Sequence, residues 1–101
     1  MSILHTVNKS PYERNALDSC IKLASSGSAV ILIEDGVFAA LKAGSKASMI
    51  NDADGIKFYA LGPDLKARGI DDDRVIDGIE VVDYAGFVDL AAEHDKVSAW
   101  L

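Results

Sequence analysis

The chain of 101 residues contains a single cysteine, Cys20, and this scarcity limits its chemistry. Without a second thiol, an internal disulfide and a dithiol redox motif are both excluded. Cys20 is still the one side chain with unambiguous nucleophile chemistry, because a cysteine thiolate is a strong nucleophile. If it is reactive, it must exchange a group with another protein. If it is not, it is a small apolar residue of a core.

Clusters of basic residues are also absent. Ten Lys and Arg residues stand against sixteen Asp and Glu residues, which gives a net charge of −6, and no two basic residues are adjacent. Because a phosphate backbone is bound through a basic patch, we expect no direct contact with nucleic acid. The chain has no glycine-rich phosphate loop either, which argues against a nucleotide-binding fold of the Rossmann or P-loop type.

Long apolar runs and an export signal are missing as well. The longest apolar runs, 29–33 and 37–41, are far too short to span a bilayer. The first residues lack the basic segment, apolar run and cleavage site of a signal peptide. A lone cysteine without an export signal is typical of a reducing compartment. We therefore expect a cytoplasmic protein that does not contact the membrane.

What the chain does have is a high apolar content for its size. Half of its residues are hydrophobic, and the mean hydropathy is +0.15. A chain of this length is expected to form a single domain, 1–101, around one core. A small domain cannot bury so much apolar surface internally, so we expect part of it to lie in a subunit interface.

Strand and helix patterns alternate along the chain. Strands are predicted at 3–7, 29–33, 56–61, 78–83 and 96–101, and helices at 10–24, 37–42, 65–68 and 84–94, with weaker helical character at 46–50. In the last helix, Phe87, Val88 and Ala91 are predicted to face inward. The run 29–33 is continuously apolar, as in a central parallel strand covered on both faces. The alternation predicts an α/β fold with a mainly parallel five-stranded sheet.

The first helix carries Cys20. Ser10 is predicted to cap this helix, with Pro11 in the first helical position and Glu13 completing a capping box. Cys20 would then lie about 15 Å from the helix N-terminus, too far for the helix dipole to activate its thiol. It also falls near the middle of an apolar stripe, so the spacing predicts a buried Cys20. That stripe could face a core or a partner subunit.

Other polar segments have weaker functional interpretations. Glu34-Asp35-Gly36 could supply a carboxylate pair for acid/base work or metal binding, but a turn with Asp as cap and Gly at positive φ is preferred. The Asn8–Pro11 turn could favour an anion, or simply cap a helix. His5 and His94 do not form a metal set of usual spacing with Cys20. The acidic run Asp71–Asp73 is predicted to be a solvated face.

The assembled residues resemble the DsrH/TusB family of sulfur-relay subunits. No single stretch is diagnostic, but together they span nearly the whole chain in the right order. They are 4–11, 34–37, 59–61 with Asp64 and Arg68-Gly69, 82–84 with 86–88, and 98–100.

The resemblance implies a DsrE-like three-layer sandwich, with a mainly parallel five-stranded sheet and helices on both faces. It implies assembly with DsrE/TusD-like and DsrF/TusC-like subunits into a 2:2:2 heterohexamer. Such complexes pass persulfide sulfur to a DsrC/TusE-like acceptor protein, and neither a metal nor an organic cofactor is implied. One branch of the family serves 2-thiolation of the tRNA wobble uridine, and the other serves dissimilatory sulfur oxidation.

The resemblance also assigns a limited role to the thiol of this chain. The principal sulfur-carrying cysteine belongs to the DsrE/TusD-like partner, in the loop after its third strand, and the matching loop here, Gly62-Pro63-Asp64, has no thiol. Cys20 is therefore predicted to be a secondary persulfide carrier or a contact for the acceptor protein. A cysteine in the first helix resembles DsrH of sulfur-oxidising bacteria, so Cys20 favours sulfur oxidation. The alternatives are tRNA thiolation, a purely structural subunit whose reactive cysteine is on a partner chain, and an independent α/β module that binds a small ligand.

Overall fold

The structure is a computed structural model that describes residues 2–101. Strands and helices alternate along these residues, as predicted for an α/β protein. The strands are β1 (Ile3–Val7), β2 (Ala29–Leu32), β3 (Lys57–Leu61), β4 (Ile79–Val82) and β5 (Lys96–Trp100). The α-helices are α1 (Ala16–Leu23), α2 (Ala47–Asp52), α3 (Gly62–Ala67) and α4 (Tyr84–Glu93), and two 3-10 helices cover Glu34–Ala40 and Asp72–Arg74.

These strands form one sheet in the order β4-β3-β2-β1-β5. The predicted five-stranded, mainly parallel sheet is confirmed, and each of its four pairings is parallel. The central strand β2 pairs with β1 and β3, and all four of its residues are buried. A strand covered on both faces needs apolar side chains in both directions, which explains its continuous apolar run.

Helices cover both faces of the sheet, as predicted. The connections from β1 to β4 step in one direction, and right-handed crossovers therefore place α1, α2 and α3 on the same face. Their buried side chains share the larger core cluster. The connection from β4 to β5 returns across the sheet, so α4 covers the opposite face, where the smaller cluster includes Leu90. No helix within residues 2–101 is long and apolar enough to cross a membrane.

The predicted start of the first helix at Ser10 is wrong. The Ser10 carbonyl oxygen accepts 3.1 Å hydrogen bonds from the backbone N–H groups of Glu13 and Arg14, but this turn does not continue as a helix. Asn15 departs from helical geometry (φ −97°, ψ 24°), and α1 begins after it. Cys20 is consequently the fifth residue of an eight-residue helix, about 6 Å along the axis from the first residue.

Helix α4 has well-defined ends. The Asp83 carboxylate caps it by accepting a 2.8 Å hydrogen bond from the Gly86 N–H, and His94 Nδ1 donates to the Leu90 carbonyl oxygen at 2.7 Å. Val88, which the sequence predicts to face inward, is 67% exposed, whereas Leu90 is 6% exposed. The inward prediction for Val88 is wrong because the buried face is narrow and runs through Phe87, Leu90 and Ala91.

Replacing Leu90 with Ala should lower the free energy of unfolding by about 2–4 kcal/mol, because it opens a cavity under α4, which covers this face. Urea denaturation followed by circular dichroism measures this change. The matched control is Val88→Ala on the same helix, which should change stability by less than about 0.5 kcal/mol. A larger loss in Val88→Ala than in Leu90→Ala would contradict the described orientation of α4.

Candidate functional site

Cys20, the predicted site residue, lies inside the larger core. Its exposed fraction is 0%, and it belongs to the same cluster as Val7, Leu17 and Val30. Burial raises the pKa of the Cys20 thiol from 9.0 to about 12. A thiol with this pKa is almost entirely protonated at neutral pH and is a poor nucleophile. The predicted burial of Cys20 is therefore observed, while its role as a persulfide carrier stays a prediction.

Two stretches that are far apart in sequence meet at the carboxyl edge of the sheet, where β2 and β3 end. Arg68 donates from Nε and Nη2 to Oδ1 of Asp35 at 3.0 and 2.8 Å, and from Nη1 to the Asp64 carbonyl oxygen at 3.2 Å. The Asp64 carboxylate accepts a 2.6 Å hydrogen bond from the Glu34 N–H. We call Glu34, Asp35, Asp64 and Arg68 the edge clamp, because together they fasten the end of β2 to α3.

The backbone of the edge clamp is tightly constrained. Glu34 has a φ of 49°, in the left-handed region, which costs a non-glycine residue roughly 1–2 kcal/mol. Gly36 lies so close to β1 that an added Cβ would collide with the Val7 carbonyl oxygen. The sequence predicted a turn here with Gly at positive φ. The turn is present, but the positive φ falls on Glu34, and Gly36 is needed for close approach.

The edge clamp favours a structural interpretation of the acidic pair over acid/base chemistry. Asp35 is already paired with Arg68, and the ion pair is part-buried, with exposed side-chain fractions of 50% and 24%. An ion pair of this exposure contributes little stability by itself. The ion pair mainly fixes the local geometry, because a fork-shaped guanidinium holds two chain segments at a fixed distance and angle. The clamp thereby sets how β2, β3 and α3 meet.

Beside the edge clamp lies an open groove of about 630 Å³. It lies at the carboxyl end of β3. In the DsrE/TusD-like subunit, the resemblance places the sulfur-carrying loop after the corresponding third strand. The lining of the groove contains no cysteine or histidine, and consists of Gly62, Pro63, Lys66, Gly69, Ile70, Asp71, Asp72 and Val81. The lining residues therefore supply no thiol to carry sulfur.

The remaining candidates do not assemble into a catalytic set. Within residues 2–101, no group of three or more His, Cys, Asp and Glu side chains could hold a metal ion. Asp71–Asp73 is exposed, as predicted for a solvated face. His94 ends α4, while His5 lies on β1 with 5% of its surface exposed and accepts a 3.0 Å hydrogen bond at Nδ1 from the Trp100 indole N–H.

Sequence reasoning missed two of these contacts. Neither the Arg68–Asp35 pair nor the Trp100–His5 hydrogen bond was anticipated, because their partners are 33 and 95 residues apart. A signal for them did exist. All four residues stand in the stretches that carry the family resemblance, so those stretches include residues that contact each other across the fold.

These features define a class of protein, namely an α/β domain with a parallel sheet covered on both faces and a buried thiol. Solved structures share this fold. The YchN protein of Escherichia coli aligns over 99% of both chains with a TM-score of 0.86 at 22% identity. Protein MTH1491 of Methanobacterium thermoautotrophicum aligns over 96% of this chain and 97% of its own, with a TM-score of 0.73 at 18% identity.

The family is identified by sequence. The family described as DsrH like protein matches residues 9–97. Protein TusB of Pectobacterium parmentieri is 36% identical to this chain over 98 residues, and Protein TusB of Photorhabdus laumondii is 37% identical over the same length. Both alignments cover 97% of this chain and 100% of the relative. The chain belongs to the DsrH/TusB family of sulfur-relay subunits.

Replacing Gly36 with Ala should destabilise the protein by at least about 2 kcal/mol, because the new methyl group would push against the Val7 backbone at the end of β1. Thermal and urea unfolding measure the loss. Gly78→Ala is the control, since an added Cβ there meets no atom within 4 Å. Equal stability of the two variants would show that the close approach of Gly36 to β1 does not exist in solution.

Proposed function

We propose that this chain is the structural, non-principal subunit of a cytoplasmic sulfurtransferase complex. Its partners in the complex are DsrE/TusD-like and DsrF/TusC-like subunits, in a 2:2:2 heterohexamer that relays persulfide sulfur to a DsrC/TusE-like acceptor. The reactive cysteine is on a partner chain. The observation that carries the proposal is the fully buried Cys20 with its raised pKa, in a chain that belongs to a sulfur-relay family.

The chemistry of sulfur transfer explains why burial decides between the roles. A donor persulfide, R–S–SH, is attacked at its outer sulfur by an acceptor thiolate, R′–S⁻. The bond between the two donor sulfurs breaks, a new bond joins the outer sulfur to the acceptor sulfur to give R′–S–SH, and the donor leaves as R–S⁻. No electrons are gained or lost overall. The step requires an accessible thiolate, and Cys20 is neither exposed nor readily ionised.

The exposed apolar side chains support a role in assembly. Tyr84 and Val88 on α4 are 60% and 67% exposed, and Val97 on β5 is 51% exposed. These residues belong to α4 and to β5, an edge strand of the sheet. Single exposed apolar residues are common on soluble proteins, but several on two consecutive elements, here α4 and β5, favour a subunit interface. The apolar surplus noted in the sequence is therefore consistent with partner subunits.

The two family branches are each supported by one observation. The presence of Cys20 in the first helix favours the sulfur-oxidation branch, as predicted from the resemblance. The relatives named Protein TusB, at 36–37% identity over nearly the whole chain, favour the branch that thiolates the tRNA wobble uridine. We take tRNA thiolation as the proposed pathway, because full-length similarity weighs more than one buried residue. Sulfur oxidation is the second candidate.

Cys20→Ser in the assembled complex should leave sulfur transfer unchanged, because a buried thiol is not on the transfer path. The complex is loaded with a sulfur donor, intact-protein mass spectrometry follows each chain, and transfer to the acceptor is timed. The wild-type chain should show no gain of one sulfur mass. A gain that Cys20→Ser abolishes, together with slowed transfer, would establish Cys20 as a carrier and refute the structural role.

Two controls make this result interpretable. Native and urea-unfolded chains are treated with a thiol reagent, and only the unfolded chain should react, which verifies that Cys20 is buried in solution. A complex in which the partner's principal cysteine is replaced should lose transfer altogether. If that complex still transfers sulfur, the assay does not follow the relay, and another readout must replace it.

In a bacterium deleted for its own TusB protein, expression of this chain with its two partner subunits should restore 2-thiouridine in tRNA. Mass spectrometry of digested tRNA measures the modified nucleoside. Expression of the two partners without this chain is the control and should restore much less. No restoration by the three subunits, although they form a stable complex, would favour sulfur oxidation over tRNA thiolation.

A further inference from the structure

His5 and Trp100 join the strands β1 and β5 through their side chains. The Trp100 indole Nε1 donates a 3.0 Å hydrogen bond to Nδ1 of His5, and the two ring centroids are 6.0 Å apart. An indole N–H can only donate, so Nδ1 must offer its lone pair. His5 is therefore held as the neutral tautomer that carries its proton on Nε2.

The surroundings of His5 oppose a second proton. Its side chain is 5% exposed, and Nε2 is buried without a hydrogen-bond partner among residues 2–101. A proton on Nδ1 would point at the indole N–H and remove the acceptor that Trp100 uses. The imidazolium would also have to be buried without compensation, which is costly in a core. Burial accordingly lowers the pKa of His5 below its ordinary value of 6.5.

The charged groups on neighbouring elements do not stabilise an imidazolium. Opposite His5, β2 presents the apolar Val30, and β5 presents Ser98. Lys96 on β5 is exposed and of the wrong sign. Helix α1 carries Asp18, Cys20 and Lys22, of which Asp18 is paired with Lys46 at 3.1 Å and Cys20 has a raised pKa. No carboxylate among the described residues hydrogen bonds to His5.

Strand β5 is held by its five-residue backbone pairing with β1 and by side-chain contacts at its two ends. It lies at the edge of the sheet and pairs with β1 alone. At the N-terminal end of β5, the exposed Asp95 carboxylate accepts a hydrogen bond from the Ser2 N–H, and the Asp95 N–H donates to the Ser2 carbonyl oxygen. The far end of β5 is fastened by Trp100, the one β5 side chain that packs against the larger core. The side chains of Val97 and Ala99 are exposed and add little packing between β5 and the core.

We propose that His5 and Trp100 form an acid-released latch on the last strand: neutral His5 holds Trp100 and β5 against β1, and protonated His5 lets both go. The released state exposes the outer edge of β1, whose backbone groups are then free to pair with another strand. The docked state has its full stability above pH 6.5 and loses it as the pH falls towards the lowered pKa of His5. This inference concerns the chain itself and does not depend on the proposed sulfur relay.

Trp100 is the only tryptophan in the chain, so its fluorescence reports on the latch directly. In the wild-type protein, the emission should shift towards longer wavelength in one reversible transition centred below pH 6.5. The His5→Asn variant keeps an acceptor oxygen near the position of Nδ1 and cannot gain a proton, so its emission should stay constant over the same range. His94→Asn, at the only other histidine, is the control and should behave as wild type.

Amide hydrogen exchange distinguishes release of β5 from general unfolding. After correction for the intrinsic effect of pH, exchange in 96–100 should accelerate at least about tenfold across the transition, while exchange in β2 and β3 should not change. Equal acceleration in all strands would overturn the proposal, as would an emission that is constant in the wild type or a transition that persists in His5→Asn.

If His5→Asn does not fold, nuclear magnetic resonance of the wild-type protein still decides. The Trp100 indole N–H resonance and the His5 ring nitrogens should then titrate with the same midpoint. Different midpoints for the two rings would refute the latch.

Discussion

The complete burial of β2 is the constraint on which the rest of the structure depends. A parallel strand that is covered on both faces must have helices on each side, so the chain has to send α1, α2 and α3 to one face and α4 to the other. The clamp of Arg68 on Asp35 and the close approach of Gly36 to β1 both occur where this strand ends. They fix the direction in which the chain leaves the core. The thiol of Cys20 is buried by the same packing.

Much of this architecture could be predicted from the sequence, because it follows from local pattern. Periodicity predicts the position of β1 and of the apolar run in β2. The alternation of strands and helices predicts the parallel sheet between layers of helices. The start of α1 could not be predicted, since Ser10 offers a good cap but only a single turn follows it. The positive φ of Glu34 could not be predicted from the sequence either, because a positive φ is normally expected at glycine. At Glu34 the strained backbone is imposed by tertiary contacts.

The candidate site illustrates a different limit of sequence reasoning. A lone cysteine draws attention as a nucleophile, yet its reactivity depends on exposure and electrostatics, which only the fold determines. The family resemblance places the principal thiol on another chain, and that placement stays a prediction. The structure adds that the matching segment of this chain supplies no thiol. Its third strand runs directly into α3 through Gly62 and Pro63, beside a groove whose lining has no thiol.

The strand order also bears on how the molecule forms during synthesis. In the sheet, β5 lies next to β1, although Trp100 follows His5 by 95 residues. A nascent chain therefore exposes one side of its first strand until the last strand has been made, while the pairings with β2, β3 and β4 become available earlier. Closing so long a loop is slow, and an open strand edge is where wrong pairing begins. The outer edge of β1 thus stays open to wrong pairing throughout synthesis until β5 is made, whichever of the other strands has already paired.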